Sequence, residues 1–281
     1  MAVFLEDILR DAKKELREAG ISSWAIDGDI LMAHALGWRK ESLITNNRHA
    51  LSDEELEFFN TLIEKRLNFM PVAYIINRVE FMGLDFFVDE NVLTPRPDTE
   101  ILVEAAIEFI NENGARSALD MCTGSGAIAI SIARFCPSVK VTAADISQAA
   151  LEVARINGEK NDVQIDFVES DMFENIEGAF DIIISNPPYI SAQEMTELSD
   201  NVSKYEPHMA LYGGEDGLSF YRRLSKVGEY LSRMGVIIIE IGAHQKDAVV
   251  DIFIKENFCL YSAFKDLAGL DRTLIFGKNI K

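Results

Sequence analysis

Beyond Ala115 the sequence alternates between short runs of β-branched apolar residues and segments with a helical period. The strand-like runs are residues 117–121, 139–145, 164–170, 180–185, 236–241, 258–264 and 272–277. Such alternation predicts an α/β fold, a doubly wound and mostly parallel sheet of seven strands with helices on both faces. The last two runs are joined by a connection too short for a crossover helix, so we expect the final strand to be antiparallel.

The N-terminal part of the chain, residues 1–75, follows a helical period instead and predicts a small helical bundle. Ser22 or Ser23 is positioned to cap the second of its helices. A further helix is predicted after Ser52, because Ser52 and Glu55 have the spacing of a capping box. We therefore expect a separate N-terminal helical domain.

The sequence changes its period after this bundle. Segments 74–82 and 84–93 are rich in Tyr, Ile, Val and Phe and flank Gly83, which predicts a β-hairpin acting as a linker over residues 76–93. The Pro-Arg-Pro sequence that follows cannot be helical, since each proline disfavours the helical conformation in the residue before it. Asp98 or Thr99 is then predicted to cap a helix. The sheet domain is expected to occupy residues 94–281.

Composition and charge exclude several classes of protein. Apolar residues make up 48% and charged residues 26%, as in a folded globular protein, and the formal net charge is −19. A surface this acidic disfavours bulk binding of nucleic acid through its phosphates. Three cysteines and four histidines show no metal-ligand spacing, so we expect no metal and a reducing compartment. No apolar stretch is long enough to span a bilayer, and a cytoplasmic protein is expected.

A glycine-containing loop follows the first strand of the predicted sheet. Gly124 and Gly126 allow a tight turn and a close approach of ligand to the backbone. Asp145 ends the next strand, 19 residues after Gly126, where a carboxylate can accept hydrogen bonds from both ribose hydroxyls of a nucleoside. The loop therefore favours a nucleoside cofactor. A dinucleotide also remains open, because Ala129 completes a Gly-x-Gly-x-x-Ala pattern.

The most specific motif, Asn186-Pro187-Pro188-Tyr189, closes the fourth strand. Proline has no N–H, so this turn presents carbonyl acceptors without competing donors. The Asn186 side chain adds another carbonyl, and Tyr189 adds an aromatic face for a planar group. The motif lies at the carboxyl end of a strand, where doubly wound sheets bind their ligands. We interpret it as an acceptor-rich slot for an NH₂ group on an sp² centre.

Together these motifs resemble those of class I S-adenosylmethionine-dependent methyltransferases that act on amino groups. Residues 71–75, 81–88 and 92–100, the stretch from Tyr205 to Gly217 and the pair Asp271-Arg272 narrow the resemblance to the release factor glutamine methyltransferase family. This family methylates the side-chain amide nitrogen of the glutamine in the Gly-Gly-Gln motif of bacterial peptide chain release factors. The helical region before residue 71 sits where the family has its substrate-recognition domain.

The resemblance implies a role for each matching position. The expected contacts to S-adenosylmethionine are Cys122, Thr123, Gly124, Ser125, Gly126, Asp145, Asp171, Met172 and Asn186. The expected substrate contacts are Asn186, Pro187, Pro188 and Tyr189, of which Asn186, Pro187 and Tyr189 are the candidate catalytic residues. The partner implied is a release factor, and we expect a monomer that binds neither nucleic acid nor membrane.

Three other functions remain open. An amino methyltransferase acting on adenine, on guanine or on another protein glutamine would use the same slot, although the charge of −19 counts against a nucleic-acid substrate. An NAD-dependent dehydrogenase would share the sheet but leave the Asn-Pro-Pro-Tyr motif unexplained. A non-catalytic adaptor would bind the cofactor without transferring its methyl group. Arg96, between two prolines, is equally compatible with a structural salt bridge and with a role beside the cofactor.

Overall fold

The computed structural model describes residues 4–279 and divides into two compact units. The helical unit is the chain up to Asn77 together with Ser199–Tyr205. The sheet unit contains Arg78–Leu198 and the chain from Glu206 onwards. No helix among the described residues is long and apolar enough to cross a membrane.

The helical unit is built from five amphipathic or buried helices. They are α1 (Leu5–Glu18), α2 (Trp24–Leu36), α3 (Lys40–Thr45), α4 (Asp53–Leu67) and α5 (Val72–Ile76), with a single turn at Asp200–Ser203. Their apolar faces meet in one core, whose fully buried members include Leu16, Leu31 and Phe59. A buried ion pair crosses this core, with Arg66 Nε donating to Asp27 Oδ2 at 2.7 Å.

Helix capping in this unit confirms one prediction and corrects another. Ser52 and Glu55 form the predicted capping box at the start of α4. Ser23 occupies the N-cap of α2, but its hydroxyl makes no capping bond. It donates instead to Asp27 Oδ2 at 2.7 Å, because that carboxylate is the stronger acceptor and already orients the Arg66 guanidinium.

The predicted hairpin is present but much shorter than the sequence suggested. Strands β1 (Val79–Phe81) and β2 (Leu84–Phe86) are antiparallel. They are joined through Met82 and Gly83, which both have positive φ, as a tight two-residue hairpin turn requires. The apolar segment before the hairpin is helical in α5, and the segment 87–93 is not a strand.

The sheet unit contains the predicted seven-stranded sheet. Its strands are β3 (Ser117–Met121), β4 (Lys140–Asp145), β5 (Asp166–Glu169), β6 (Phe180–Ser185), β7 (Leu231–Glu240), β8 (Phe258–Lys265) and β9 (Asp271–Lys278). The spatial order is β5-β4-β3-β6-β7-β9-β8. Only β9 runs against its neighbours, which confirms the mostly parallel fold and the antiparallel final strand. Strand β7 begins five residues before the predicted run, because the polar and glycine residues 232–235 hide its start.

Helices cover both faces of the sheet. They are α6 (Asp98–Asn113), α7 (Ala127–Phe135), α8 (Gln148–Lys160) and α9 (Lys246–Lys255), with short helices at Ala192–Met195, His208–Leu211 and Ser219–Leu224 and a 3₁₀ turn at Val227–Glu229. Along β6, Ile182 and Ile184 enter the core on one face and Ile183 the core on the other, as the two-residue period of a strand requires. The carboxyl ends of the parallel strands therefore meet at one edge.

The start of α6 differs from its prediction. The helix begins at Asp98 after Pro97 as N-cap, and neither Asp98 nor Thr99 caps it. Proline can precede the first turn without losing a helical hydrogen bond. The Thr99 side chain is thereby free to point away from the helix end, toward the carboxyl edge of the sheet.

Candidate active site

The loop that joins β3 to α7 has an unusual backbone. Cys122, Gly124 and Gly126 all have positive φ. A Cβ on Gly126 would lie 2.9 Å from the Ile130 side chain and 3.1 Å from that of Ala154, so this glycine also permits close packing of α7 on α8. At Gly124 a Cβ would meet nothing within 4 Å. The turn therefore depends on Gly126 for packing and leaves open space beside Gly124.

The N–H groups of this loop are largely used within the protein. Thr123 N donates to Ala144 O at 3.0 Å, and Gly126 N donates to Thr123 O at 2.9 Å. Gly124 N donates to Asp145 Oδ2 at 2.9 Å. These three N–H groups are therefore not free to bind a ligand. A pyrophosphate cradle needs such amides free, so the loop disfavours a dinucleotide.

Asp120, which sequence reasoning missed, lies under the same loop. It is only 1% exposed, and its Oδ2 accepts from Thr123 Oγ1 at 2.6 Å and from Ala129 N at 3.1 Å. Its Oδ1 is buried and has no hydrogen-bond partner within residues 4–279. Burial raises the pKa of Asp120 to about 7. A carboxylate directly before a glycine loop was the available signal for this residue, which supports the loop from beneath rather than lining the cavity.

Asp145 occupies the end of the neighbouring strand, β4. Its Oδ1 accepts from Ser147 N and its Oδ2 from Gly124 N, each at 2.9 Å. Burial raises the pKa of this carboxyl, while the hydrogen bonds from backbone N–H groups oppose the rise. Each carboxylate oxygen retains a further lone pair, so Asp145 can still accept from a pair of ligand hydroxyls.

The third strand end contributes Asp171 and Met172. Asp171 Oδ1 accepts from Arg223 Nη2 at 2.6 Å, so this carboxylate is already paired. Met172 is buried with φ of 54°, and its carbonyl accepts from Ser170 Oγ at 2.7 Å. The apolar Met172 side chain is suited to contact a planar ring rather than a charged group.

The Asn-Pro-Pro-Tyr motif follows β6. Asn186 Nδ2 donates to Thr99 Oγ1 at 3.2 Å. Among residues 4–279 no protein donor reaches Asn186 Oδ1, so this oxygen remains available to a ligand. Tyr189 turns its hydroxyl to the buried Glu240, with Oη donating to Oε1 at 3.3 Å, and burial raises the pKa of the tyrosine.

Most of the predicted site residues line one cavity of about 250 Å³. These are Cys122, Thr123, Gly124, Ser125, Asp145, Asp171, Met172, Asn186 and Pro188. Gly126, Pro187 and Tyr189 are not in its wall. The cavity also contains residues that the sequence analysis left out, notably Thr99, Met209, Phe220 and Arg223.

Arg96 forms the structural salt bridge that was one of its two expected roles, and it also lies in the cavity wall. Its guanidinium pairs with Glu206, whose side chain is 1% exposed. Burial raises the pKa of Glu206, and the charge of Arg96 opposes that rise. The loop around Pro207 is thereby tied to the Pro-Arg-Pro segment at the cavity wall.

The residues around the cavity fit a nucleoside. Asp145 offers acceptors for ribose hydroxyls, and the apolar side of Met172 suits a base. A diphosphate would instead meet two carboxylates and an internally bonded loop. Among the described residues no group of three His, Cys, Asp or Glu side chains could hold a metal ion.

Two family models match the chain. One is described as the PrmC N-terminal domain and covers residues 7–76. The other is the methyltransferase small domain and covers residues 98–204. The first lies within the helical unit, and the second contains the glycine loop and the Asn-Pro-Pro-Tyr motif.

Similar proteins were also found over nearly the whole chain. The release factor glutamine methyltransferase of Clostridium acetobutylicum is 40% identical, over 96% of this chain and 97% of its own. The enzyme of the same name from Agrobacterium fabrum is 36% identical, over 94% of each chain. The structure of a methyltransferase from Pyrococcus furiosus superposes with a TM-score of 0.52 at 22% identity, covering 71% of this chain and 91% of that one, which shows the fold.

Proposed function

The chain belongs to the release factor glutamine methyltransferase family, and we propose that it transfers a methyl group from S-adenosyl-L-methionine to a release factor glutamine. The acceptor atom is the side-chain amide nitrogen of the Gly-Gly-Gln motif. The observation that carries this proposal is the hydrogen bond from Asn186 Nδ2 to Thr99, which leaves Asn186 Oδ1 available in the cavity wall.

The slot must make the amide nitrogen of the substrate reactive toward a methyl donor. An amide nitrogen is a poor nucleophile, because its lone pair is delocalised into the carbonyl. Asn186 Oδ1 and the Pro187 carbonyl can each accept one N–H of the substrate NH₂ group, which fixes the nitrogen and favours a more tetrahedral geometry. Positioning of this kind is worth up to roughly 7–11 kcal/mol in model reactions.

The remaining cavity residues hold the methyl donor. Asp145 is the acceptor for the ribose hydroxyls, Met172 lies where the base would pack, and the open space beside Gly124 lets the donor approach the glycine loop. S-adenosylmethionine, when bound, supplies an electrophilic methyl group on a sulfonium. Burial keeps the nearby Cys122 thiol protonated by raising its pKa, so it does not compete as a nucleophile.

The transfer requires no general base in contact with the acceptor nitrogen. The methylated amide nitrogen is strongly acidic, so its proton can leave to water after the transfer. Tyr189 remains a neutral phenol, since burial raises its pKa, and its hydroxyl is directed to Glu240 rather than into the cavity. Its contribution is to anchor the end of the motif.

The helical unit is proposed as the domain that recognises the body of the release factor. Residues 1–80 carry a net charge of −4 (10 basic, 14 acidic), against −15 for residues 81–281 (17 basic, 32 acidic). The less acidic part is the less repulsive surface toward an anionic partner. We propose residues 1–75 as the recognition domain, 76–93 as the hairpin linker and 94–281 as the catalytic domain. The protein is proposed to be a cytoplasmic monomer that binds no nucleic acid directly.

The test is methyl transfer from labelled S-adenosylmethionine to a purified bacterial release factor. A second release factor, with the Gly-Gly-Gln glutamine changed to alanine, identifies the acceptor residue. The Asn186→Ala enzyme tests the slot, and Asn113→Ala, at an exposed helix end, is the matched control. We expect label only in the intact release factor, with Asn113→Ala active and Asn186→Ala inactive.

Other outcomes would redirect the proposal. Label in DNA or RNA instead of the release factor would identify an amino methyltransferase acting on a base. Label in the alanine-substituted release factor would show that another residue is the acceptor. Binding of S-adenosylmethionine without transfer to any of these partners would support the adaptor, and binding of NAD in its place would support a dehydrogenase.

A further inference from the structure

A buried carboxyl group lies behind the Asn-Pro-Pro-Tyr motif. Glu240, the last residue of β7, is 2% exposed and does not line the cavity. Its Oε1 accepts from the Tyr189 hydroxyl, and its Oε2 is buried with no hydrogen-bond partner among the described residues. Burying a carboxylate is costly in free energy unless its lone pairs accept hydrogen bonds. We therefore expect Glu240 to have a function behind the slot.

Thr99 connects this carboxyl to the slot. The Thr99 side chain is 4% exposed, and its hydroxyl lies close enough to the carboxyl to lower the pKa of Glu240. The same hydroxyl oxygen accepts from Asn186 Nδ2. A hydroxyl has one proton to donate. If the carboxylate draws that proton, the oxygen can only accept from Asn186.

We propose that Thr99 and Glu240 are positioning residues that fix the orientation of the Asn186 side-chain amide. Glu240 draws the Thr99 proton, Thr99 holds the NH₂ group of Asn186, and Oδ1 is left to accept from the substrate. A rotation of the amide by about half a turn would place NH₂ against the NH₂ of the substrate, donor against donor. This inference rests on the proposed function and explains why the slot is acceptor-rich.

The charge state of Glu240 controls the relay. Burial raises its pKa to about 7, while Thr99, the charge of Arg272 and Tyr189 oppose the rise and Asp98 adds to it. Tyr221 lies nearby, with its hydroxyl donating to the Glu240 backbone carbonyl, and its own pKa is raised by burial. Above pH 7 the carboxylate accepts from Thr99. Below it the protonated carboxyl can donate to Thr99, which frees the Thr99 proton to reach Asn186 Oδ1.

The first measurement is kinetic. Thr99→Val keeps the shape but removes the hydroxyl, whereas Thr99→Ser keeps the hydroxyl. For transfer to the release factor we expect Thr99→Val to lower kcat roughly tenfold, the effect of losing one buried hydrogen bond. The KM for the release factor and the calorimetric affinity for S-adenosylmethionine should not change. Thr99→Ser should restore most of kcat.

The second measurement observes the amide directly in the free protein. The side-chain NH₂ resonances of Asn186 are identified by their loss in Asn186→Ala. We expect them to shift with pH around a midpoint near 7. The shift should disappear in Glu240→Gln and persist in Glu229→Gln, a control at an exposed glutamate. In Thr99→Val the resonances should move toward those of an unbonded amide.

Two results would overturn the inference. One is a Thr99→Val enzyme with unchanged kcat and unchanged Asn186 resonances. The other is a parallel loss of thermal stability, cofactor affinity and kcat in Thr99→Val and Thr99→Ser, which would make Thr99 merely structural. A wild-type enzyme that does not label the release factor would refute the proposed function instead, while the resonances would still decide the relay.

Discussion

Asp145 accepts a hydrogen bond from the backbone N–H of Gly124 at 2.9 Å, which links the ends of two neighbouring parallel strands. The same carboxylate accepts from Ser147 N at the start of the next helix. Asp145 therefore shapes the glycine loop before any ligand arrives. A residue expected only to bind ribose also holds together the site in which the ribose would lie.

Replacing Asp145 with alanine should weaken the binding of S-adenosylmethionine. The variant loses a charged acceptor and the two bonds that shape the loop, so we expect a loss of about 2 kcal/mol, or roughly 30-fold in affinity. Calorimetry measures the affinity for S-adenosylmethionine. Asp166→Ala, which removes an exposed carboxylate from β5 outside the cavity, is the matched control. Equal affinity in both variants would show that Asp145 does not contribute to binding.

Gly126→Ala should destabilise the sheet unit more than an ordinary glycine substitution does. Its φ is 81°, and the added Cβ would press on Ile130 and Ala154, so we expect a loss of about 2–3 kcal/mol. Gly178, with φ of 85° and open space around it, provides the control, and Gly178→Ala should cost about 1 kcal/mol. Urea unfolding followed by circular dichroism compares the two. A larger cost at Gly178 would contradict the packing argument.

Arg66→Met should destabilise the helical unit by about 3 kcal/mol. The substitution leaves Asp27 charged and buried with only the Ser23 hydroxyl as a side-chain donor. Both tryptophans, Trp24 and Trp38, lie in this unit, so their fluorescence follows its unfolding in urea. The exposed Lys65→Met is the control, and unfolding midpoints that agree between the two variants would contradict the prediction.

Asp120 should make the protein less stable as the pH rises. Its pKa is about 7 in the folded protein and about 4 in the unfolded chain, so between these values the folded state binds more protons. At 1.36 kcal/mol per pKa unit, this group contributes a fall of up to about 4 kcal/mol between pH 4 and 7. Because Asp120→Asn cannot titrate there, the difference between variant and wild type in urea unfolding isolates the effect. A difference in the free energy of unfolding that is constant with pH would contradict the raised pKa of Asp120.

Much of the fold was accessible from residue periodicity. The β-branched runs of the sheet are locally distinctive, so the seven strands and the reversed last strand were predicted before their pairing was known. The hairpin was overestimated, because the apolar residues of α5 and of segment 87–93 resemble strands when tertiary contacts are ignored. Strand β7 was underestimated, since its first half lacks the apolar alternation that marks a strand.

Some residues of the site were likewise predicted from the sequence, and others were not. The glycine loop, Asp145 and the Asn-Pro-Pro-Tyr motif are local patterns, and the rule that ligands bind at the carboxyl ends of parallel strands brings them together without coordinates. Asp120 and Arg223 were not predicted as site residues, because a single acidic or basic residue has no local pattern that indicates its burial or its partner. The orientation of Tyr189, away from the cavity and toward Glu240, was equally invisible.

By itself the sequence determined the fold class, the helical first unit and the strand ends that carry the ligand motifs, because these depend on patterns within a few residues. Tertiary structure alone decided the direction of the Asn186 amide. Its partner Thr99 is 87 positions away in the sequence, and Glu240 is 51 positions from Tyr189. Hydrogen-bond direction depends on which donors and acceptors meet in the folded chain, and no local pattern encodes such a meeting.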